Sequence, residues 1–150
     1  MSLPPAAFTM CRVFLFFAKI GTCPAAIARH TSLCRGVSGL ATAFAFAFAK
    51  DKNRQWIVEF RNQLLDFIAH NPPRYGVNWI CTMDVAIRAA NMAMVCWLLE
   101  GTGYRINSKI SKIIATSLLA HGRHIMQNLE WMSINRGNHY LSNVCGLAFL

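Results

Sequence analysis

Apolar residues recur along this chain at helical spacing, in stripes separated by short polar breaks. Trp56, Ile57, Phe60, Leu64, Phe67 and Ile68 form the clearest stripe, with Glu59, Arg61, Asn62, Gln63 and Asp66 between them. That period predicts an amphipathic helix over 53–69. Asn71-Pro72-Pro73 ends it, because a residue ahead of proline is pushed out of the helical region. A loop, Arg74-Tyr75-Gly76-Val77-Asn78-Trp79, leads to Thr82, the expected cap of a helix over 82–100. Asp84 falls in its first turn, where the dipole favours a carboxylate. Val85, Ala89, Met92, Cys96 and Leu99 are its expected buried stripe, and Gly101 and Gly103 close it. Ser108 is the expected cap of the next helix, 108–131, with a stripe of Ile110, Ile113, Ile114, Leu118, Ile125 and Leu129. Gly137 turns the chain, and Asn138 is the expected cap of a last helix, 138–150, carrying Leu141, Val144, Cys145 and Ala148. Upstream, Phe44, Phe46 and Phe48 alternate with alanine. Period two favours a strand and alanine favours a helix; the helical neighbours decide for a helix.

The expected fold class is therefore all-α, built from antiparallel helical hairpins, since short connections make neighbouring helices antiparallel. Alternating direction places the 70–81 and 132–137 loops at one end of the bundle. The 50–53 and 101–107 loops lie at the other. The first end collects Asn78, Trp79, Asp84, Arg88, Asn128, Glu130, Trp131, Asn138, His139 and Tyr140; the second collects lysines, glycines and serine. One end is dressed for chemistry and the other for connection.

Size and composition narrow the field. The chain has 150 residues, 55% of them hydrophobic and 14% charged, which suits one domain with a real core and argues against disorder. No run reaches the roughly 18 uncharged apolar residues of a confident membrane span, so no stable span is expected. The net charge of +9 attracts polyanions, although a merely solvated basic surface has the same composition. No block of five like charges occurs, and no nucleic-acid partner is expected. The six cysteines include no CxxC pair and do not resemble a disulfide framework. Cys96 and Cys145 fall on predicted buried faces. Residues 1–35 are an unassigned leader. Val13-Phe14-Leu15-Phe16-Phe17-Ala18 is signal-like, while Pro4-Pro5 and Lys19 count against a signal peptide. The last helix reaches Leu150 without a cap, charge or breaker, so a fragment is expected.

The candidate residues each carry two readings. Asp84, Arg88 and Asn91 share one helix face, either as an intrahelical ion pair with a cap or as one wall of a groove. Trp79 and Trp131 suit a core or stack on sugar rings. Asn138 is a cap, or a ligand contact beside helix-start N–H groups suited to anions. His139 is a structural imidazole, or a source of charge and proton transfer. His121 and His124 lie three apart on a helix with few carboxylates nearby, so no metal is expected. No phosphate loop, nucleophile elbow or cofactor motif appears, and no cofactor is expected.

Two groups of motifs sharpen this picture. Gly76-Val77-Asn78-Trp79 followed by Met83-Asp84-Val85-Ala86-Ile87-Arg88-Ala89-Ala90-Asn91 resembles the "G-[IV]-N-W … M-E-V-x-I-R-x-x-N" signature of the heparinase II/III-like polysaccharide lyases. His121-Gly122-Arg123-His124-Ile125, Asn128-Leu129-Glu130 and Gly137-Asn138-His139-Tyr140-Leu141 resemble that family's "H-x-x-x-I … N-L-E … G-N-H-x-L". The likeness spans roughly 41–150; Asp84 departs from it, where glutamate is usual. It implies a partial α/α toroid over 36–150, truncated at its C-terminus, and a periplasmic or secreted location. It implies β-elimination on a uronic-acid polysaccharide, heparan sulfate- or alginate-like. The C5 proton leaves, the C4–O bond breaks and an unsaturated uronate forms. Donors that neutralise the substrate carboxylate make that proton acidic enough to remove. The family's Asn-His pair carries over to Asn138 and His139 as catalytic residues. Asn78, Trp79, Asp84, Arg88, Asn91, Glu130, Trp131 and Tyr140 are the expected substrate-binding set. The family's catalytic tyrosine and β-sandwich lie past Leu150. This chain alone is thus expected to be inactive, with the acidic polysaccharide and its own missing C-terminal half as partners. The alternative is a non-catalytic helical module that binds acidic glycans or another polyanion.

Overall fold

The structure is a computed structural model and describes residues 42–131 and 137–150. The leader, with its signal-like stretch, and Arg136 of the last turn lie outside the described residues. Within them the chain is all-α, with five α-helices and no strand. α1 covers 42–51, α2 Arg54–His70, α3 Thr82–Gly101, α4 Ser108–Gln127 and α5 Asn138–Ala148. A single 3-10 turn, Val77–Trp79, precedes α3. The Phe–Ala repeat is helical as expected. Thr42, Ala45 and Phe48 are buried while Phe46 is exposed, so its working period is three rather than two.

α3 is the spine. Thirteen of its residues are buried, far more than one stripe. Its second half packs Met92, Val95 and Leu99 against Ala45 and Phe48 of α1, Ile57, Phe60 and Leu64 of α2, and Ile114 of α4. Its first half packs Val85, Ala86 and Ala89 against Trp79 and Ile125. Among the described residues, α3 is the one helix long and apolar enough to cross a membrane by length and composition, and 72% of that stretch is buried in this packing. A helix wrapped on several sides must be apolar nearly all round. Cys96 and Cys145 are half-buried free thiols. Burial, with Glu100 adding to it, pushes the Cys96 thiol up to about 11, which leaves it a small hydrophobe.

Three helix starts differ from expectation by one residue. Cys81, not Thr82, precedes the first turn of α3, and Gly137, not Asn138, precedes α5. Asn107 caps α4 in place of Ser108, its side chain accepting from the Lys109 N–H at 2.9 Å. A larger change falls at the end of α4, which stops at Gln127 instead of 131. The Asn128 side chain donates to the His124 carbonyl at 2.8 Å, and its backbone N–H bonds the Ile125 carbonyl. An asparagine that satisfies the last carbonyls ends the helix. Leu129, Glu130 and Trp131 therefore leave it.

The two polar ends form as alternating helices require. Arg74 of the α2–α3 loop donates to Gln127 at the end of α4 at 3.0 Å. At the opposite end Phe48 meets Tyr104 edge-on, ring centroids 5.5 Å apart. α5 lies along α3 in the same sense. The Met83 N–H and His139 share one partner, and three residues on from Met83, Ala86 faces Gly146. A Cβ at 146 would stand 2.7 Å from the Ala86 Cβ and 2.9 Å from its backbone, so only glycine fits. Gly146→Val is expected to destabilise the fold by about 1–3 kcal/mol through overpacking against backbone. Urea denaturation followed by far-ultraviolet circular dichroism measures it, and an unchanged midpoint would mean that the helices are not in contact there.

Candidate functional site

Freed from α4, Glu130 reaches back to the start of α3. Its Oε2 accepts from the Met83 N–H at 2.8 Å. The first N–H groups of a helix lack intrahelical partners, and Cys81 supplies no side-chain cap. A carboxylate from 47 residues away does that work, on the end of the helix dipole that favours it. Asn143 of α5 holds the same carboxylate. Its side-chain amide donates to Oε2 at 3.3 Å, and its carbonyl accepts from the Glu130 N–H at 2.9 Å. Asn143 is 0% exposed, so this clamp is part of the core.

The other oxygen, Oε1, faces His139 Nδ1 at 3.0 Å. With a carboxylate as acceptor, Nδ1 carries the proton. Nε2 is then the second working nitrogen of a side chain that is 43% exposed. Asn138 sits beside it, exposed, as the first residue of α5. Trp131 is half-exposed, and its ring meets Tyr140 edge-on at 4.6 Å. Cys81 completes the group. One donor atom from each of Cys81, Glu130 and His139 lies within 4.8 Å of the others. The outcome is a part-exposed imidazole held at Nδ1 by Glu130, with Asn138 preceding it in the chain and the Trp131–Tyr140 pair on the same two segments.

Most of the remaining expected residues are buried. Asp84, Arg88 and Asn91 share one face of α3, and that face is buried. Arg88 is 2% exposed. Its Nε donates to His121 Nε2 at 2.8 Å, and its guanidinium lies over the Phe67 and Trp79 rings at 5.0 and 5.2 Å. His121 Nδ1 in turn donates to the Ser117 carbonyl at 2.7 Å. Burial, together with the Arg88 charge, pushes His121 down to about 3, so the ring is neutral. His124 moves in the same direction, by burial first and then by Arg74 and Arg88. Trp79 is 4% exposed, tilted on His121 at 4.6 Å and edge-on to His124 at 5.2 Å. Its Nε1 donates to the Asn71 carbonyl at 3.3 Å, and the Asn78 amide donates to the Asn71 side chain. Trp79, Asp84, Arg88 and Asn91 are thus buried and brace the fold, and Asn78 is half-buried. The cause is that α3 is packed on so many sides that its polar face turns inward.

Trp79 also borders a cleft of about 530 Å³ with Phe67, Ile68, Lys109, Lys112 and Ile113. Neither Asn138 nor His139 lines it. The expected gathering of Trp79, Asn138 and His139 round one sugar is therefore divided between this cleft and the Glu130 cluster. Sequence reasoning gave no role to Cys81 and Asn143, and it weighed His121 only as a metal ligand and a motif member, not as the buried partner of Arg88. Asn143 had a signal, since it lies one helical turn after His139 and so shares its face. Cys81 had none, because its place depends on a fold-wide contact. Comparison of the chain with family models, curated proteins and solved structures finds no match.

The buried histidine sets a pH dependence. His121 titrates near 6.5 when unfolded and near 3 when folded, so between these values the unfolded chain binds the extra proton. Stability is full above about pH 6.5 and declines as pH falls toward 3. The urea midpoint is expected to be lower at about pH 4.5 than at about pH 7.5, and His121→Gln is expected to flatten that slope. Equal slopes in the two proteins would show that the ring is not held neutral.

Proposed function

We propose that this chain is part of the α/α toroid of a heparinase II/III-like polysaccharide lyase, and that Asn138 and His139 hold a uronate carboxylate of the substrate. One observation carries the reading. The Glu130 carboxylate bonds Met83 and His139 together, so residues from three separate stretches of motif meet at one point. Matching motifs scattered over a chain count for more when they converge in space.

The chemistry fits β-elimination. A uronate C5 proton is poorly acidic until the neighbouring carboxylate is neutralised or hydrogen-bonded. The Asn138 amide donates to one carboxylate oxygen. His139, oriented by Glu130, donates to the other when Nε2 carries a proton and accepts a proton when it does not. Trp131 and Tyr140 present flat apolar faces to a sugar ring. The basic surface, +9 overall, draws an acidic polymer toward the site. Asp84, Arg88 and Asn91, the buried members of the motifs, serve by fixing α3, on which Glu130 closes.

Binding separates this reading from a generic polycation. The wild-type chain is expected to bind heparan sulfate or alginate, measured by calorimetry, and to lose affinity for the carboxyl-reduced polymer. Asn138→Ala and His139→Ala are each expected to weaken binding about tenfold, or ~1.4 kcal/mol. Binding that is indifferent to carboxyl reduction and to both substitutions would end the proposal.

A further inference from the structure

We propose that Cys81, Glu130 and His139 form a binding site for a zinc-type divalent metal ion. The three side chains come from three places: the residue that starts α3, the segment after α4 and the first turn of α5. A fold that gathers a thiol, a carboxylate and an imidazole within 4.8 Å of one another presents a borderline-soft donor set, which favours zinc over magnesium or calcium. Tetrahedral zinc with bonds of about 2.0–2.3 Å needs donor atoms about 3.3–3.8 Å apart. Glu130 Oε1 and His139 Nδ1 are already 3.0 Å apart. The longest separation needs to close by only about 1 Å on binding. Three protein donors leave a fourth position for water or an external ligand.

The surroundings match such a site. A ligating carboxylate is ordinarily held by hydrogen bonds from behind, and Glu130 uses its second oxygen to accept from Met83 N–H and Asn143. Oε1, which faces His139 Nδ1 at 3.0 Å, exchanges that hydrogen bond for the ion. Proton balance is simple. The Cys81 thiol gives up its proton to solvent as the sulfur–metal bond forms. The His139 proton moves from Nδ1 to Nε2, so the ring ligates as a neutral imidazole. His121 differs, since both its nitrogens are engaged, by Arg88 and by Ser117. The inference rests on donor chemistry and is independent of the glycan reading.

Cobalt(II) is the probe, because a thiolate ligand gives it a near-ultraviolet charge-transfer band and tetrahedral geometry gives it strong visible bands. The full chain, stripped with a chelator, is expected to bind one equivalent of cobalt(II) with both signals, and zinc(II) is expected to remove them. Cys81→Ser, which keeps a good helix-start residue, is expected to abolish the charge-transfer band and weaken binding at least tenfold. His139→Ala is expected to weaken binding at least tenfold, and Cys96→Ser to leave both signals intact. Circular dichroism establishes that each variant is folded. A folded wild-type chain without these bands, or bands that survive Cys81→Ser, would overturn the site.

Discussion

A single carboxylate holds this structure in register with itself. The core helix begins with N–H groups that have no partner inside the helix, and the residue ahead of it makes no side-chain cap. Leaving such a donor buried and unmet costs about 1–3 kcal/mol. Glu130 meets it from across the fold, and with its other oxygen it sets the ring of His139. Completing the core and building the surface site are thus one event. It depends on Asn128 ending α4 early enough to release Glu130 into a loop.

The second constraint is a cation in the interior. A buried guanidinium is costly unless it is compensated. Arg88 has a lone pair from a neutral imidazole and the faces of two aromatic rings. That arrangement explains the state of His121: a proton on Nε2 would turn the acceptor into a second positive donor aimed at Arg88. The indole of Trp79 closes the layer above, bonded to the loop that Pro72 and Pro73 force out of α2. The loop carrying the predicted Gly-Val-Asn-Trp stretch is therefore pinned to the core by its own tryptophan.

Helices and their rough limits were legible because each amphipathic stripe was long and each break contained proline, glycine or asparagine. The polar ends were legible from loop length alone. Two things were not. The period of α3 showed one stripe, yet the helix is buried on most sides, and only its alanine and methionine content hinted at it. For that reason Arg88 and Asp84 looked like a groove wall. Starts such as Cys81 against Thr82 were misplaced because a remote carboxylate supplies the cap that the local sequence lacks. Of the expected pair, His139 meets Glu130 at 3.0 Å, and Asn138 precedes it as the exposed first residue of α5.

The glycine at 146 acts as a ruler for that placement. With backbone touching backbone at Ala86, α5 cannot slide along α3 without driving Cys145 or Leu147 into the same gap. One residue of slip is a rise of about 1.5 Å, comparable with the whole tolerance of a hydrogen bond. The smallest side chain in the helix therefore calibrates the position of His139, about two turns away.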